Sequence, residues 1–250
     1  MLTVHLEIRP ALWFLLPRDR RQDRFAVRAA ATDTVGAVLR AVGIPLTEVG
    51  DLDLSGRPVH VRDRVVPGTL RVRPAGRPQR TRESPPRFLL DVHLGGLARR
   101  LRLLGLDVAY ETDAEDAALA RRAATEGRVL LTLDRGLLHR SLVPEGALVR
   151  GTRTDEQLRD VLDRFAPPLR PWTRCVPCGA ELSPVSAEQV ADDVEPGTRR
   201  TYADFARCTR CRRVYWRGAH SPGLEAIVAE AEATLARLAL DRAQHRDQEV

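Results

Sequence analysis

Residues 87–110 read RFLLDVHLGGLARRLRLLGLDVAY, and this stretch has the pattern of a strand, a helix and a second strand. Arg87 to Val92 is a largely apolar run, which is typical of a buried strand. The leucines that follow recur at helical spacing, and Gly105 is a helix stop signal. Asp107–Tyr110 is predicted as the second strand. Strands that alternate with helices predict parallel pairing, because the crossover helix returns the chain to the same end of the sheet.

The alternation continues as far as residue 165. Two further apolar runs predict strands, and two Thr-x-x-Glu/Gln sequences predict helix starts, because such a pair satisfies free N–H groups of a first turn. The predicted fold class over residues 87–170 is therefore α/β, with a parallel sheet covered by helices on both faces. The strands are predicted at Arg128–Leu133 and Ala147–Val149, and the capping pairs are Thr112 with Glu115 and Thr154 with Gln157.

Three aspartates are predicted at the carboxyl ends of these strands, where sheets of this class place their sites. Asp91 closes the first strand, Asp134 follows the third, and Asp116 lies in the first turn of the helix after the second. Three carboxylates at one edge repel each other unless a divalent metal such as Mg²⁺ or Mn²⁺ neutralises them. Such metals activate water and stabilise an in-line displacement at phosphorus. Alternatively, Asp134 merely caps a helix and Asp116 merely complements a helix dipole.

The first 74 residues predict a small mixed domain. Leu2–Ile8 and Phe25–Ala29 alternate like strands, a helix opened by Thr32 or Asp33 ends at Gly43, and short extended pieces follow. This ββαββ order indicates a ubiquitin-like β-grasp domain. It has no reactive Gly-Gly end, so we interpret it as a docking or stabilising module with a possible protein partner. Residues 75–86, AGRPQRTRESPP, form the linker to the next domain.

The four cysteines form two C-x-x-C pairs within residues 171–222, namely Cys175 with Cys178 and Cys208 with Cys211. Two such pairs are typical of a tetrahedral zinc site, and four thiolates leave no open position, so the zinc would be structural. A redox disulfide in each pair is the alternative. It would need a preceding strand and a following helix start, which neither pair has.

Aromatic residues interleave with arginines around the second cysteine pair, and residues 223–250 follow as a C-terminal helix and tail. Stacking on aromatic rings and phosphate contact with arginines is how single-stranded RNA is bound. Arg212, Arg213 and Trp216 are our candidates for nucleic-acid binding. The alternative is that a small zinc ribbon needs large side chains for its own core. The helix is predicted to pack on the ribbon or on a neighbouring domain rather than on a membrane, because its polar face is mixed in charge.

The composition of the 250 residues sets limits on function. All 40 basic residues are arginines and the net charge is +6, which is compatible with nucleic acid without being diagnostic. No apolar run approaches the roughly 18–20 residues that span a bilayer. Ala11–Leu16 lacks a signal-cleavage pattern, so a reducing, cytoplasmic location is expected, in which zinc explains the cysteines better than disulfides do.

The stretch from Phe88 to Tyr110, the DAEDAAL sequence after it and RVLLTLDRGL together resemble the PIN-like ribonuclease family named for the C-terminal domain of the Mut-7 exonuclease. That family often carries a ubiquitin-like domain in front and a four-cysteine zinc ribbon behind, as this chain does. The resemblance implies a PIN-like fold, with Asp91, Asp116 and Asp134 as catalytic, metal-binding carboxylates. A fourth acid is usual in PIN domains, for which Asp155 and Glu156 are candidates. The residues flanking the expected site that could hold phosphate are His93, Arg99 and Arg102, and the alternative for each is a solvated surface position.

Three hypotheses follow from the sequence. The first is a metal-dependent ribonuclease, in which the aspartates cut and the ribbon holds RNA. The second is a non-catalytic RNA- or ribosome-associated protein, for which a cluster of repelling carboxylates has no evident use. The third is a toxin-like PIN nuclease held by a partner, although such toxins are usually single small domains.

Overall fold

The computed structural model describes residues 1–218 and 221–247, which fold as two compact units. The first unit comprises Met1–Thr81 and Glu115–Leu148, and the second comprises Arg82–Ala114 and Val149–Val250. The segment predicted as the nuclease domain therefore contributes to both units. No helix within residues 1–218 and 221–247 is long and apolar enough to cross a bilayer.

The first unit begins with a five-stranded sheet of order β2-β1-β5-β3-β4. Strand β1 pairs antiparallel with β2 and parallel with β5, and one helix follows the first hairpin. This is the β-grasp arrangement, so the ubiquitin-like prediction is confirmed. The elements are β1 (Leu2–Ile8), β2 (Arg24–Ala29), α1 (Val35–Ala41), β3 (Val49–Leu54), β4 (Arg57–Pro58) and β5 (Gly68–Pro74).

Alternation along β1 explains the core of this sheet, since Val4, Leu6 and Ile8 are all buried. The helix α1 begins one residue later than predicted, because Thr34 rather than Thr32 or Asp33 is its N-cap. The Thr34 hydroxyl accepts a hydrogen bond from the backbone N–H of Ala37 at 3.1 Å.

The rest of the first unit contains α3 (Asp116–Glu126), β8 (Val129–Thr132), α4 (Arg135–Leu138) and β9 (Gly146–Leu148). Strands β8 and β9 are parallel, as predicted. The capping pair predicted at Thr112 and Glu115 is wrong, because Glu115 itself occupies the N-cap of α3. Strand β9 packs on the β-grasp core through Leu148, whose backbone N–H donates to the carboxylate of Glu48 at 2.8 Å.

The second unit contains β6 (Phe88–Leu90), α2 (Gly95–Leu103), β7 (Val108–Tyr110) and α5 (Thr154–Phe165). Strands β6 and β7 are parallel, which confirms the prediction made from residues 87–110. The N-cap of α5 is Arg153, whose backbone N–H donates to the Glu156 carboxylate at 3.2 Å, so the predicted pair of Thr154 and Gln157 is wrong by one residue. Gln157 is buried and donates to the Gly151 carbonyl oxygen instead.

A three-stranded antiparallel ribbon and a long helix complete the second unit. Helix α7 buries Val228 and Ala231, and its Glu230 forms an ion pair with Arg159 of α5 at 3.1 Å, so the predicted packing on a neighbouring domain is confirmed. Residues 248–250 of the predicted tail lie outside the described residues. The elements are β10 (Leu182–Val185), α6 (Pro196–Thr201), β11 (Phe205–Cys208), β12 (Val214–Trp216) and α7 (Ser221–Asp247). The mixed α/β class is confirmed.

Candidate functional site

Asp91 directly follows β6 and is only 4% exposed. Its carboxylate accepts a hydrogen bond from the backbone N–H of Val92 at 2.6 Å. The turn is held from β7, because the Tyr110 hydroxyl donates to the Val92 carbonyl oxygen at 2.9 Å. A Cβ at position 95 would lie 2.6 Å from that hydroxyl, so glycine at this position permits the contact. The sequence thus builds a defined orientation for the Asp91 carboxylate.

Asp116 and Asp134 belong to the first unit. Asp134 is exposed and caps α4, accepting the N–H of Gly136 at 2.7 Å, while its own N–H donates to the buried Thr132 hydroxyl at 2.8 Å. Asp116 opens α3 and lies 3.7 Å from the guanidinium of Arg140. Asp134 therefore does cap a helix, as the alternative interpretation predicted. The cap uses one of its two carboxylate oxygens.

The two candidates for a fourth acid both lie in the first turn of α5. Asp155 forms an ion pair with Arg100. Glu156 accepts from the backbone N–H groups of Thr152 and Arg153 at 3.0 and 3.2 Å, and these two bonds lower the pKa of Glu156. Both acids are thus engaged by protein groups at the start of α5 or beside it.

The four cysteines lie together, with their sulfur atoms all within 4.8 Å of one another. The Sγ atoms of Cys175 and Cys211 are 3.5 Å apart, and those of Cys178 and Cys208 are 3.4 Å apart. All four are free thiols rather than disulfides. The donor set fits zinc, which favours four thiolates in a tetrahedron. Among the described residues, these four cysteines form a group of metal-ligating side chains close enough to share one ion. The convergence of the three aspartates stays a prediction.

The thiols of this site differ in how readily they lose a proton. Burial raises the pKa of Cys175 to about 12. Burial acts in the same direction on Cys208. Hydrogen bonds from the backbone N–H groups of Cys211 and Arg210, together with those to the Cys178 and Cys211 thiols, act against it and lower the pKa of Cys208 to about 6. Cys208 therefore loses its proton more readily than Cys175, and metal binding would displace the protons that remain.

The two cysteine knuckles share a backbone conformation. The residue after each pair has a positive φ, +76° at Gly179 and +63° at Arg212. In each knuckle this residue's N–H donates back to the first cysteine's carbonyl oxygen, at 2.8 Å for Gly179 and 3.2 Å for Arg212. Only the first knuckle requires glycine for space, since a Cβ at Gly179 would lie 2.9 Å from the Arg102 Nε.

Arg102 is 3% exposed, and the prediction that it contacts nucleic acid is wrong for that reason. Its guanidinium donates to the carbonyl oxygens of Val108, Val176 and Pro177 at 3.1, 3.3 and 2.6 Å. It therefore joins α2 and β7 to the first knuckle and presents no donor to a phosphate.

The other predicted nucleic-acid contacts are accessible. Arg99 is exposed on α2, Arg212 and Arg213 are exposed beside the second cysteine pair, and Trp216 is 42% exposed at the end of β12. His93 is exposed as well. His220, which ends the aromatic segment, lies outside the described residues.

Sequence reasoning missed two residues of this region. Tyr215 is one of the aromatic residues that interleave with arginines around the second cysteine pair, and its hydroxyl lies 3.0 Å from the Cys175 Sγ and so supports the thiolate site. Trp172 was not singled out at all, although it faces the same cavity as Trp216. Its position three residues before the first cysteine was the available signal.

The fold and the site together define a multidomain α/β protein. It has a β-grasp domain, parallel strand and helix units, and a cluster of four thiols that could bind a metal. Residues 86–228 match the Mut7-C RNAse domain, and residues 1–80 match the Mut7-C ubiquitin domain. The first match covers more than half of the chain, so the chain belongs to the Mut7-C RNAse domain family. No curated protein and no solved structure matches the sequence.

Proposed function

We propose that this chain is a metal-dependent ribonuclease that hydrolyses RNA phosphodiester bonds with Asp91, Asp116 and Asp134. The observation that carries the proposal is the buried Asp91 carboxylate directly after β6, in a chain that belongs to an RNase family. Burying a carboxylate this deeply costs free energy unless the carboxylate is hydrogen-bonded, paired with a cation or bound to a metal. A position at a strand's carboxyl end is where α/β proteins place catalytic groups.

The positions of the other two aspartates support the same site. Asp134 comes two residues after the end of β8, and Asp116 begins the helix that follows β7 in the chain. Carboxyl ends of parallel strands share one edge of a sheet, so we infer that the three side chains converge.

The chemistry of the donors selects the metal. Three carboxylates are hard oxygen ligands that suit Mg²⁺ or Mn²⁺, whereas the four thiolates suit zinc, and the two sites therefore do not compete for one ion. A bound Mg²⁺ or Mn²⁺ would supply an activated water and neutralise charge at the phosphorus.

The chain's own residues orient the ligands and hold the substrate. The Val92 N–H fixes one oxygen of Asp91, and the Gly136 N–H fixes one oxygen of Asp134, so each carboxylate is held in place before metal binds. We place RNA against the exposed Arg99 and the exposed Arg212, Arg213 and Trp216 of the ribbon. Arginine suits this role because its planar fork matches phosphate.

The test is cleavage of labelled single-stranded and structured RNA by zinc-loaded full-length protein with added Mg²⁺ or Mn²⁺. Asp91→Asn and Asp134→Asn should each lower the rate at least about 100-fold, since each removes a charge that holds the metal. Asp51→Asn, an exposed aspartate of β3, is the matched control and should cleave normally. Equal trace activity in all four proteins would contradict the proposal. Chelator pretreatment is avoided because it would also strip zinc.

A second candidate is a non-catalytic RNA-binding protein. The exposed arginines and the exposed Trp216 of the ribbon favour RNA binding whether or not the aspartates cut. In that case residues 173–250 alone should bind RNA as tightly as the full chain, and neither aspartate variant should alter any activity.

A further inference from the structure

A cavity of about 390 Å³ opens in the second unit beside the cysteine site. Four of the chain's eleven Phe, Tyr and Trp residues face it, together with apolar side chains. It is too large to be a packing defect and is lined with the flat rings that receive planar ligands. The aromatic lining residues are Trp172, Phe205, Tyr215 and Trp216.

Trp172 holds an unusual backbone conformation at this cavity. Its φ is +65°, a left-handed value that bulky residues rarely adopt and that glycine or asparagine would accept more easily. The conformation is held by the Trp172 N–H, which donates to the Leu103 carbonyl oxygen at 3.1 Å. Residues kept in such conformations concentrate at ligand sites. A tryptophan in this conformation therefore indicates a ligand-binding role for its ring.

The indole N–H groups lead to the same conclusion. Trp13, in the first unit, donates its indole N–H to the Ile8 carbonyl oxygen at 2.9 Å. Within residues 1–218 and 221–247, neither Trp172 nor Trp216 has a hydrogen-bond acceptor for its indole N–H. Both donors are thus left for a ligand or for water at the cavity.

The charge at the cavity selects the class of ligand. Arg217 is exposed and lies over the Trp172 ring, 5.3 Å from its centroid. Arg174 also lines the cavity, but it is engaged by the Gly179 carbonyl oxygen at 3.1 Å and by Asp107 at 3.5 Å. The exposed carboxylate of Asp204 lines the cavity as well, so among its charged side chains Arg217 is the cation that would meet a phosphate.

We propose that this cavity binds an unstacked base of a single-stranded RNA, with the base against Trp172 and Trp216 and the adjacent phosphate on Arg217. The choice of RNA rests on the proposed function, while the cavity, the left-handed tryptophan and the arginine are independent of it. Aromatic stacking with a neighbouring cation is the usual way to hold single strands without reading their sequence.

The test is fluorescence anisotropy of a short labelled single-stranded RNA with zinc-loaded full-length Asp91→Asn protein, which removes cleavage. Trp172→Ala and Trp216→Ala should each weaken binding about 10- to 100-fold, the value of one stacked base. Arg217→Ala should weaken binding and also reduce its salt dependence, because it removes a phosphate contact. Trp13→Phe, at a tryptophan that does not line the cavity, should bind like the parent.

Folding effects are separated from binding by comparing Trp172→Gly with Trp172→Ala. Glycine accepts the positive φ, so Trp172→Gly should be the more stable of the two, yet both should bind RNA equally poorly. An abasic site can also be placed at each position of the strand in turn. At the one position whose base enters the cavity, the parent and the Trp172 variants should then bind the RNA with equal affinity. Unchanged RNA binding by Trp172→Gly with normal zinc content would overturn the proposal. An equal loss of affinity for duplex and for single-stranded RNA in the Trp172 variants would overturn it as well.

The result also separates this inference from the proposed function. Tight binding that depends on Trp172, in a protein that never cleaves, would leave the cavity assigned and the ribonuclease wrong. Metal-dependent cleavage by a protein whose RNA binding does not depend on Trp172 would support the ribonuclease and contradict the assignment of the cavity.

Discussion

Arg102 donates to the carbonyl oxygen of Pro177 at 2.6 Å, from a side chain in α2 to the tip of the first cysteine knuckle. The same guanidinium reaches Val176 in the knuckle and Val108 in β7. Burial lowers the pKa of Arg102, and the nearby Cys178 and Cys175 act in the opposite direction. The arginine thus ties the helix of the strand–helix–strand unit to the metal site.

We expect Arg102→Met to lower the free energy of unfolding by about 2 kcal/mol, because one buried and two partly buried carbonyl oxygens would lose a charged donor. Zinc should also leave the protein faster, since the knuckle that holds Cys178 would lose its support. Both effects are measured on the purified full chain, by denaturant unfolding and by zinc transfer to a coloured chelator.

Arg99→Met is the matched control, because Arg99 lies on the same helix and is exposed. It should change stability by less than about 0.5 kcal/mol. If the two variants release zinc at the same rate, Arg102 does not support the knuckle.

Removal of the metal should unfold the ribbon rather than merely empty it. The ribbon core is small. In the described part of the chain its buried apolar cluster consists of Val190, Val194 and Phe205 with a few partly buried neighbours, so metal binding must supply much of its stability. We expect one zinc per chain, and Cys208→Ser should lose it and become sensitive to trypsin within residues 173–217. Ser183→Ala, an exposed position in β10, should keep the metal. A ribbon that resists trypsin without zinc would contradict this expectation.

The sequence predicted those parts of the fold that depend on local periodicity. The leucine spacing of α2, the strands on either side of it and the two C-x-x-C pairs needed only neighbouring residues to be recognised. The helix stop at Gly105 is also recognised locally, and its φ of +81° is one that glycine accepts. A distant residue requires glycine here as well, since a Cβ would lie 1.8 Å from the Arg170 carbonyl oxygen.

What sequence reasoning missed depends on contacts between distant residues. Arg102 was expected on the surface because arginines usually are, and its acceptors at Val176 and Pro177 lie 74 and 75 residues away. The capping pair of α5 was displaced by one residue because Glu156 and Gln157 can both serve at that position, and only Gln157 is drawn inward to Gly151.

The ubiquitin-like domain is expected to be a fixed part of the first unit. Glu48 is 2% exposed, and its carboxylate accepts the N–H of Leu148 at 2.8 Å in the edge strand β9. Glu48→Ala would leave that partly buried N–H without its acceptor and should lower the free energy of unfolding by about 1–3 kcal/mol. Glu48→Gln keeps an oxygen acceptor and should cost less.

Hydrogen exchange of the Leu148 amide is the direct measurement, and it should speed up in Glu48→Ala. Glu7→Gln is the control, because Glu7 forms an exposed ion pair with Arg71 at 2.9 Å that contributes little. Unchanged exchange at Leu148 in Glu48→Ala would show that the strand edge is protected by something else.

His139 should make the first unit sensitive to acid. Burial lowers the pKa of His139, and the positive charges of Arg135 and Arg40 lower it further, against a raising contact with the Gly43 backbone. The unfolded chain therefore takes up a proton at a higher pH than the folded chain does. Stability should be constant above the ordinary histidine pKa of about 6.5 and should fall as the pH drops from there through the lowered folded value.

His139→Gln removes the titrating group and should flatten this part of the pH profile of unfolding, while His93→Gln, at an exposed position of the second unit, should keep it. The measurement is denaturant unfolding at a series of pH values between neutrality and mild acid, at constant ionic strength. Because protonation would add a third positive charge beside Arg135 and Arg40, raising the salt concentration should soften the fall in the parent protein. A pH profile of His139→Gln that still falls as steeply as the parent's would assign the acid sensitivity to another group.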